Sequence, residues 1–340
     1  MNSHERVMRR LRGEPVDRAP NFNIFMSYAA HHIRRPLSEY YLDYRVLCEA
    51  NLAVLRDFSL DIVNTMSDAY RETADWGAAI EFPHDELPKS KVPLLRDLED
   101  VHRLASPDPA TGRRMTDRVC AVRYYREQVG GTVPIMGWVE GALAETADLR
   151  GVSTLLMDLY DHAEQVEAVL ERCTENAIDF ARVQVEAGAD IIGLGDAVAS
   201  QISPQMYRRF ALPYEQRIFA AVHAMGALTR LHICGNISKI LPDVARSGAD
   251  IVDVDWMVDL AAAREICAPA AVCGNFDPVA VILQGTPDTV EQAVRHALDL
   301  GGPRCFSMAG CEIPDGTPQA NLLAHARALR EYGAAEPANA

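Results

Sequence analysis

Eight short apolar runs rich in valine and isoleucine recur along this chain, with helical stretches between them, and most end in a polar or small residue. They span residues 19–25, 60–67, 133–141, 189–197, 228–236, 249–256, 270–277 and 304–312. Strands buried on both faces read as continuous apolar runs, and parallel neighbours need a long crossover, usually a helix. Residues 153–187, 203–225 and 286–300 carry the periodicity and start signals of such helices. An internal echo supports the pattern: residues 186–196 and 246–255 both read as helix end, glycine cap, then strand. The alternation leaves a barrel or a doubly wound sheet, and eight runs without a Gly-x-Gly-x-x-Gly after the first favour the barrel. We expect an α/β fold, a single-domain (β/α)8 TIM barrel over residues 1–340, with an N-terminal helical extension at 1–18 and a frayed tail at 332–340. Residues 82–126, with their prolines and charges, are too long for a simple crossover and are expected to cover one side of the barrel mouth.

Partners are narrowed by charge. Thirty-three basic against 48 acidic residues leave a net charge of −15, a field that repels phosphate backbones, so nucleic acid is excluded. No apolar stretch approaches the roughly 20 residues of a membrane span. The N-terminus is basic but lacks the apolar core of a secretory signal, which points to the cytoplasm. Eight cysteines scattered without a compact framework fit reduced thiols.

In a barrel of this kind chemistry sits at the C-terminal ends of the strands. His232 and Cys234 close the fifth run and Cys311 closes the eighth. An imidazole and a thiolate two residues apart on an extended segment share a face, and with a second thiolate they form a set that selects zinc. Asp255, at the end of the neighbouring run, is the candidate fourth ligand; alternatively it orients a loop or supports His232 from behind. Glu312 follows Cys311 and points away from the ion if the strand continues. Glu140 is a candidate general acid or base, or a helix cap. Asp68 and Asp196 either contact substrate or satisfy loop amides, and Asn275 belongs to turn chemistry that also shapes the pocket.

These residues carry a resemblance over nearly the whole chain. Arg12-Gly13-Glu14-Pro15-Val16-Asp17-Arg18-Ala19-Pro20, His232-Ile233-Cys234-Gly235-Asn236, Gly274-Asn275-Phe276-Asp277-Pro278 and Ala309-Gly310-Cys311-Glu312-Ile313-Pro314 resemble the uroporphyrinogen decarboxylase superfamily. Within it, the two cysteines 77 residues apart resemble the branch of zinc-dependent, cobalamin-linked methyltransferases. The decarboxylases have an arginine-rich loop, M-R-Q-A-G-R, where this chain reads Met26-Ser27-Tyr28-Ala29-Ala30-His31; Arg34 and Arg35 follow a few residues later. A more distant likeness to cobalamin-independent methionine synthase implies that Asp255 stands where that family has a ligand glutamate.

The resemblance implies that His232, Cys234 and Cys311 hold Zn2+, and that a small-molecule thiol or methylated substrate exchanges a methyl group with a corrinoid. No Asp-x-His-x-x-Gly signature of a built-in cobalamin domain is present, so the corrinoid (methylcobalamin) is expected on a partner protein. Transfer is compatible with either direction. A homodimer is implied by the superfamily alone. Two other readings stand beside this one: a metal-free decarboxylase with an arginine-lined mouth, and a non-catalytic zinc-bearing partner of a corrinoid protein.

Overall fold

The apolar runs form a curled parallel sheet in the protein's computed structural model, which describes residues 1–335. Seven strands pair in chain order: β1 (Val63–Asn64), β2 (Ile135–Glu140), β3 (Ile191–Gly195), β4 (Leu228–His232), β5 (Ile251–Asp253), β6 (Ala271–Phe276) and β7 (Cys305–Ala309). The first run is not a strand. Its residues instead close the barrel through backbone bonds to both edges: Phe22 N donates to Ser307 O at 2.9 Å, Ser307 N to Pro20 O at 2.9 Å, and Asp61 N to Asn21 O at 3.0 Å. Pro20 has no N–H, so a regular ladder cannot run through it. With this segment as the eighth stave, the architecture is a (β/α)8 TIM barrel in a single domain.

Several expected elements are shorter or broken. Runs 60–67 and 249–256 keep only two and three paired residues, because their ends leave the ladder to reach the barrel mouth. The helix expected at 153–187 is two, Val152–Asp161 and Ala163–Ala187, and that at 203–225 divides into Pro204–Phe210 and Leu212–Ala224 ahead of Pro213. The excursion expected at 82–126 includes most of the crossover helix Arg113–Val129; its irregular part holds Lys89–Ser90, which pairs with Ile80–Glu81 just ahead of the excursion, and a short helix, Leu98–Arg103. Gln319–Ala335 continues the last helix through the first residues of the expected tail, where Tyr332 donates to Asp299 at 2.8 Å; residues 336–340 of that tail lie outside the described ones.

Two apolar layers result. Large side chains from alternate strand positions, among them Phe22, Met136, Trp138, Phe306 and Met308, fill the barrel interior. A larger core lies between sheet and helices. The N-terminal helix Ser3–Leu11 places fully buried Val7 against the interior cluster. Its Arg6 pairs with Asp61 at 2.7 Å, and Arg10 donates to Cys305 O at 3.0 Å, so this end of the barrel is stoppered. The opposite end, where the strands finish, is left open for a site. No helix among the described residues is long and apolar enough to cross a membrane.

Candidate metal centre at the barrel mouth

Strand register assembles the site. Leu231 of β4 pairs with Val252 of β5, so the next residues, His232 and Asp253, stand side by side at the strand ends. His232 Nδ1 lies 2.7 Å from Asp253 Oδ2, and Asp253 Oδ1 accepts from Arg230 Nε at 2.8 Å; all three side chains are buried. Burial opposes charge on Asp253, but Arg230 and His232 outweigh it and hold the carboxyl below its ordinary range. An ionised Asp253 fixes the Nδ1–H tautomer and leaves Nε2 facing the mouth.

That nitrogen meets two sulfurs. Cys234 Sγ lies 2.9 Å from His232 Nε2, Cys311 Sγ lies 3.4 Å from Cys234 Sγ, and Cys311 Sγ lies 3.9 Å from the imidazole nitrogen. Ligands around one tetrahedral zinc, bonded at about 2.0–2.3 Å, sit roughly 3.5–3.8 Å from one another, so the set needs only small adjustments to hold the ion. The trio is the group of metal-capable side chains formed among the described residues. Its proton distribution is already polarised. The hydrogen bond from Cys234, aided against burial by His232, lowers Cys311 to about 4, while Cys234, the partner that keeps its proton, is raised. Burial opposes an imidazolium, but Cys234 and Asp253 raise His232 well above its ordinary value.

Neither cysteine lies within a strand. Both sit on turns just beyond β4 and β7, and Asp255 holds these turns together. Asp255 Oδ2 accepts from Gly235 N at 2.7 Å and Oδ1 from Trp256 N at 2.7 Å. Gly310 packs so closely that a Cβ there would come within 2.4 Å of Asp255 Oδ1 and 2.5 Å of Trp256 N. Asp255 therefore stands beside the trio, with each oxygen taken by a backbone amide. Glu312 turns aside, accepting from Ser27 N at 2.8 Å.

The three candidate ligands open on a cavity of about 210 Å3, lined also by Ile24, Met26, Met66 and Trp138 and by the acidic residues Asp68, Glu140 and Glu312. Burial, reinforced by Glu72 and Asp148, pushes Glu140 well above the usual carboxylate range; the Trp138 Nε1–H bond to its Oε1, at 2.9 Å, pulls the other way. Asp68 is held low instead: burial opposes its charge, but Arg114, 2.6 Å away, and Arg71 outweigh it. Asp196 does not line the cavity. It is fully buried beneath Gly141, where loss of solvent raises its carboxyl to about 7 against the pull of the Ala144 amide. Asn275 also lies outside the wall, donating to Val258 O at 2.6 Å and Asp255 O at 3.3 Å, which shapes the turn carrying Asp255.

Asp253, a strand-end candidate beside Asp255, takes the support of the histidine that the sequence offered as the alternative role of Asp255, because its register matches that of His232. Trp138 was missed from sequence alone: it supplies both wall and hydrogen bond, and nothing in its local sequence marked it.

The uroporphyrinogen decarboxylase family model matches residues 2–332. The chain belongs to the uroporphyrinogen decarboxylase family. Among its relatives is the methylcobamide:CoM methyltransferase MtbA of Methanosarcina mazei, 30% identical over 334 residues, covering 96% of this chain and 97% of the relative. A uroporphyrinogen decarboxylase of Xanthomonas euvesicatoria pv. vesicatoria is 29% identical over 355 residues, covering 94% and 96%. In structure, a methyltransferase from Methanosarcina mazei superposes with a TM-score of 0.86 at 26% identity, covering 98% of this chain and 99% of its own. A B12-independent methionine synthase from Shewanella sp. W3-18-1 shares the fold, with a TM-score of 0.55 at 15% identity over 84% and 86% of the two chains. Family membership and these neighbours make this chain an enzyme of the methyltransferase kind within the family.

Proposed function

We propose that this chain is a zinc-dependent methyltransferase, with residues 1–340 acting as one barrel domain, that moves a methyl group between a corrinoid on a partner protein and a small-molecule thiol. The observation that carries the proposal is the His232, Cys234 and Cys311 trio, with its imidazole tautomer set by ionised Asp253, opening on a small cavity. Bound zinc supplies one thing here: it keeps a thiol in its nucleophilic, deprotonated form near neutral pH, where a free thiol of pKa about 8.5 is mostly protonated. The chain supplies the rest. Asp253 and Arg230 hold the imidazole, Asp255 fixes the turns bearing both cysteines, and apolar Ile24, Met26 and Met66 limit water around the reacting sulfur. In the forward direction a sulfur–carbon bond forms as the cobalt–carbon bond breaks, its electron pair stays on cobalt, and the thiol proton passes to solvent.

The cavity favours this reading over a decarboxylase. At about 210 Å3 it falls below the roughly 300–1,000 Å3 of pockets for drug-sized ligands. No lysine or arginine lines it among the described residues, whereas a polycarboxylate substrate calls for cations. Free thiols at all eight cysteines accord with a cytoplasmic setting. The experiment is anaerobic incubation of the zinc-loaded protein with methylcobalamin and small thiols, followed by absorbance. Zinc-dependent loss of methylcobalamin with formation of the thioether is expected. Zinc binding without turnover, with either free or protein-bound corrinoid, would leave the non-catalytic partner reading in its place.

A further inference from the structure

The two sulfurs of the trio are placed for a second chemistry. Cys234 Sγ and Cys311 Sγ stand 3.4 Å apart, inside the roughly 3.5–3.8 Å that separates two ligands of one zinc. Both thiols are half-buried and line the open cavity, so a small oxidant can reach them. Of the other six cysteines five are buried, and Cys120 stands apart on the crossover helix Arg113–Val129. The clamp that keeps the pair together belongs to the chain itself. Asp255 accepts the Gly235 amide at 2.7 Å, from the turn that follows Cys234. It also lies against Gly310, the residue before Cys311, where a Cβ would come within 2.4 Å of its Oδ1. One carboxylate therefore holds both turns, although they follow strands β4 and β7, three places apart in the sheet. The remaining gap to a sulfur–sulfur bond of about 2.05 Å is small, and neither cysteine sits in a strand ladder that would resist closing it.

We propose that Cys234 and Cys311 are a redox couple, held in register by Asp255, which a hydroperoxide converts into an intrachain disulfide and a dithiol restores. A peroxide oxygen first bonds to one sulfur as the O–O bond breaks, giving a sulfenic acid and water or an alcohol. The second sulfur then attacks the first. The sulfur–sulfur bond forms, the sulfur–oxygen bond breaks, and the hydroxyl leaves as water with the proton of the second thiol. Two electrons have passed from the sulfurs to the peroxide. The disulfide removes two of the three candidate metal ligands at once, so oxidation switches metal binding off reversibly. This last consequence rests on the zinc methyltransferase reading; the disulfide itself does not.

Metal-free, fully reduced protein is treated with hydrogen peroxide and mapped by peptide mass spectrometry without reduction. A Cys234–Cys311 link, lighter by two hydrogens than the two free peptides and reversed by dithiothreitol, is expected. The oxidised protein should take up no zinc until both thiols are restored. With dimedone competing for the sulfenic acid, Asp255→Ala should shift the ratio of disulfide to dimedone adduct by about tenfold or more toward the adduct, because the second sulfur is no longer held beside the first. Sulfinic acid or a dimedone adduct in place of the wild-type link, a ratio unaltered in a folded Asp255→Ala protein, or undiminished zinc binding after oxidation would overturn the proposal. If that variant does not fold, the wild-type map alone decides. Failure of the metal reading looks different: reduced protein binds no zinc, yet the disulfide still forms.

Discussion

Replacing Asp253 by asparagine tests how the imidazole is held. Asp253 accepts from His232 Nδ1 at 2.7 Å and from Arg230 Nε at 2.8 Å, whereas asparagine has one oxygen and a donor amide. Arg230 cannot give up its proton, so the amide oxygen must face it and the NH2 group must face Nδ1. A neutral imidazole receiving a donor at Nδ1 carries its proton on Nε2, the atom 2.9 Å from Cys234. The lone pair needed by a metal is then gone. Loss of an outer carboxylate of this kind costs about 10–100-fold in metal affinity, equivalent to about 1.4–2.7 kcal/mol. Stability falls too, because Arg230 loses its buried counter-charge; breaking such a pair costs about 3–5 kcal/mol, and the retained bond to the amide oxygen places Asp253→Asn near the lower end. Zinc affinity is measured by competition with a chromophoric chelator, beside denaturant unfolding of the metal-free proteins. A folded Asp253→Asn protein that binds zinc as tightly as wild type would refute the tautomer argument.

The remaining predictions concern the cysteines, the turn beneath them and one distant histidine. In metal-free protein Cys311, lowered to about 4, is thiolate at pH 6 while Cys234 is not, so iodoacetamide should label Cys311 first and zinc should protect both; equal labelling by peptide mass spectrometry contradicts this. Gly310→Ala drives a methyl group into Asp255 and the Trp256 amide, and should cost about 1–3 kcal/mol with weakened zinc binding; an unchanged unfolding midpoint and affinity contradict the close contact. His325, whose imidazole Nε2 lies 2.9 Å from Ser307 Oγ, is lowered to about 3 by burial and then by Arg18. Since the unfolded chain protonates near 6.5, its neutral form stabilises the fold above that pH, and the contribution is lost as pH falls toward 3. Relative to His325→Gln, wild type should lose about 2 kcal/mol between pH 8 and pH 5; a pH-independent difference contradicts the assignment.

Much of the architecture was legible because parallel strands under helices must be apolar throughout, and seven of the eight runs contain a barrel strand. The first run looked the same but carries Pro20, which cannot donate to a ladder, and closure rests on three backbone bonds that composition does not announce. Helix periodicity passed over the breaks at His162 and Ala211, since neither interrupts the apolar pattern. At the site, His232, Cys234 and Cys311 were visible as residue types at strand ends, and the structure brings them within 4.8 Å of one another. Placement of Asp253 and Asp255 was not legible, because it depends on cross-strand register and on where the chain leaves the ladder. Asp196 and Asn275 share the strand-end position of the others, yet one turns under Gly141 and the other into the Val258 turn. Which way a side chain turns at a strand end is decided by its neighbours' packing, and the local sequence does not contain that.

The central claim is that His232, Cys234 and Cys311 together hold one zinc ion. Elemental analysis of the purified protein, joined to zinc-edge X-ray absorption, measures it most directly. The account predicts about one zinc per chain with two sulfur ligands and an imidazole, and loss of the metal in Cys234→Ala and Cys311→Ala proteins that remain folded. Stoichiometric zinc retained in both variants, or wild-type protein that takes up no zinc, would contradict it.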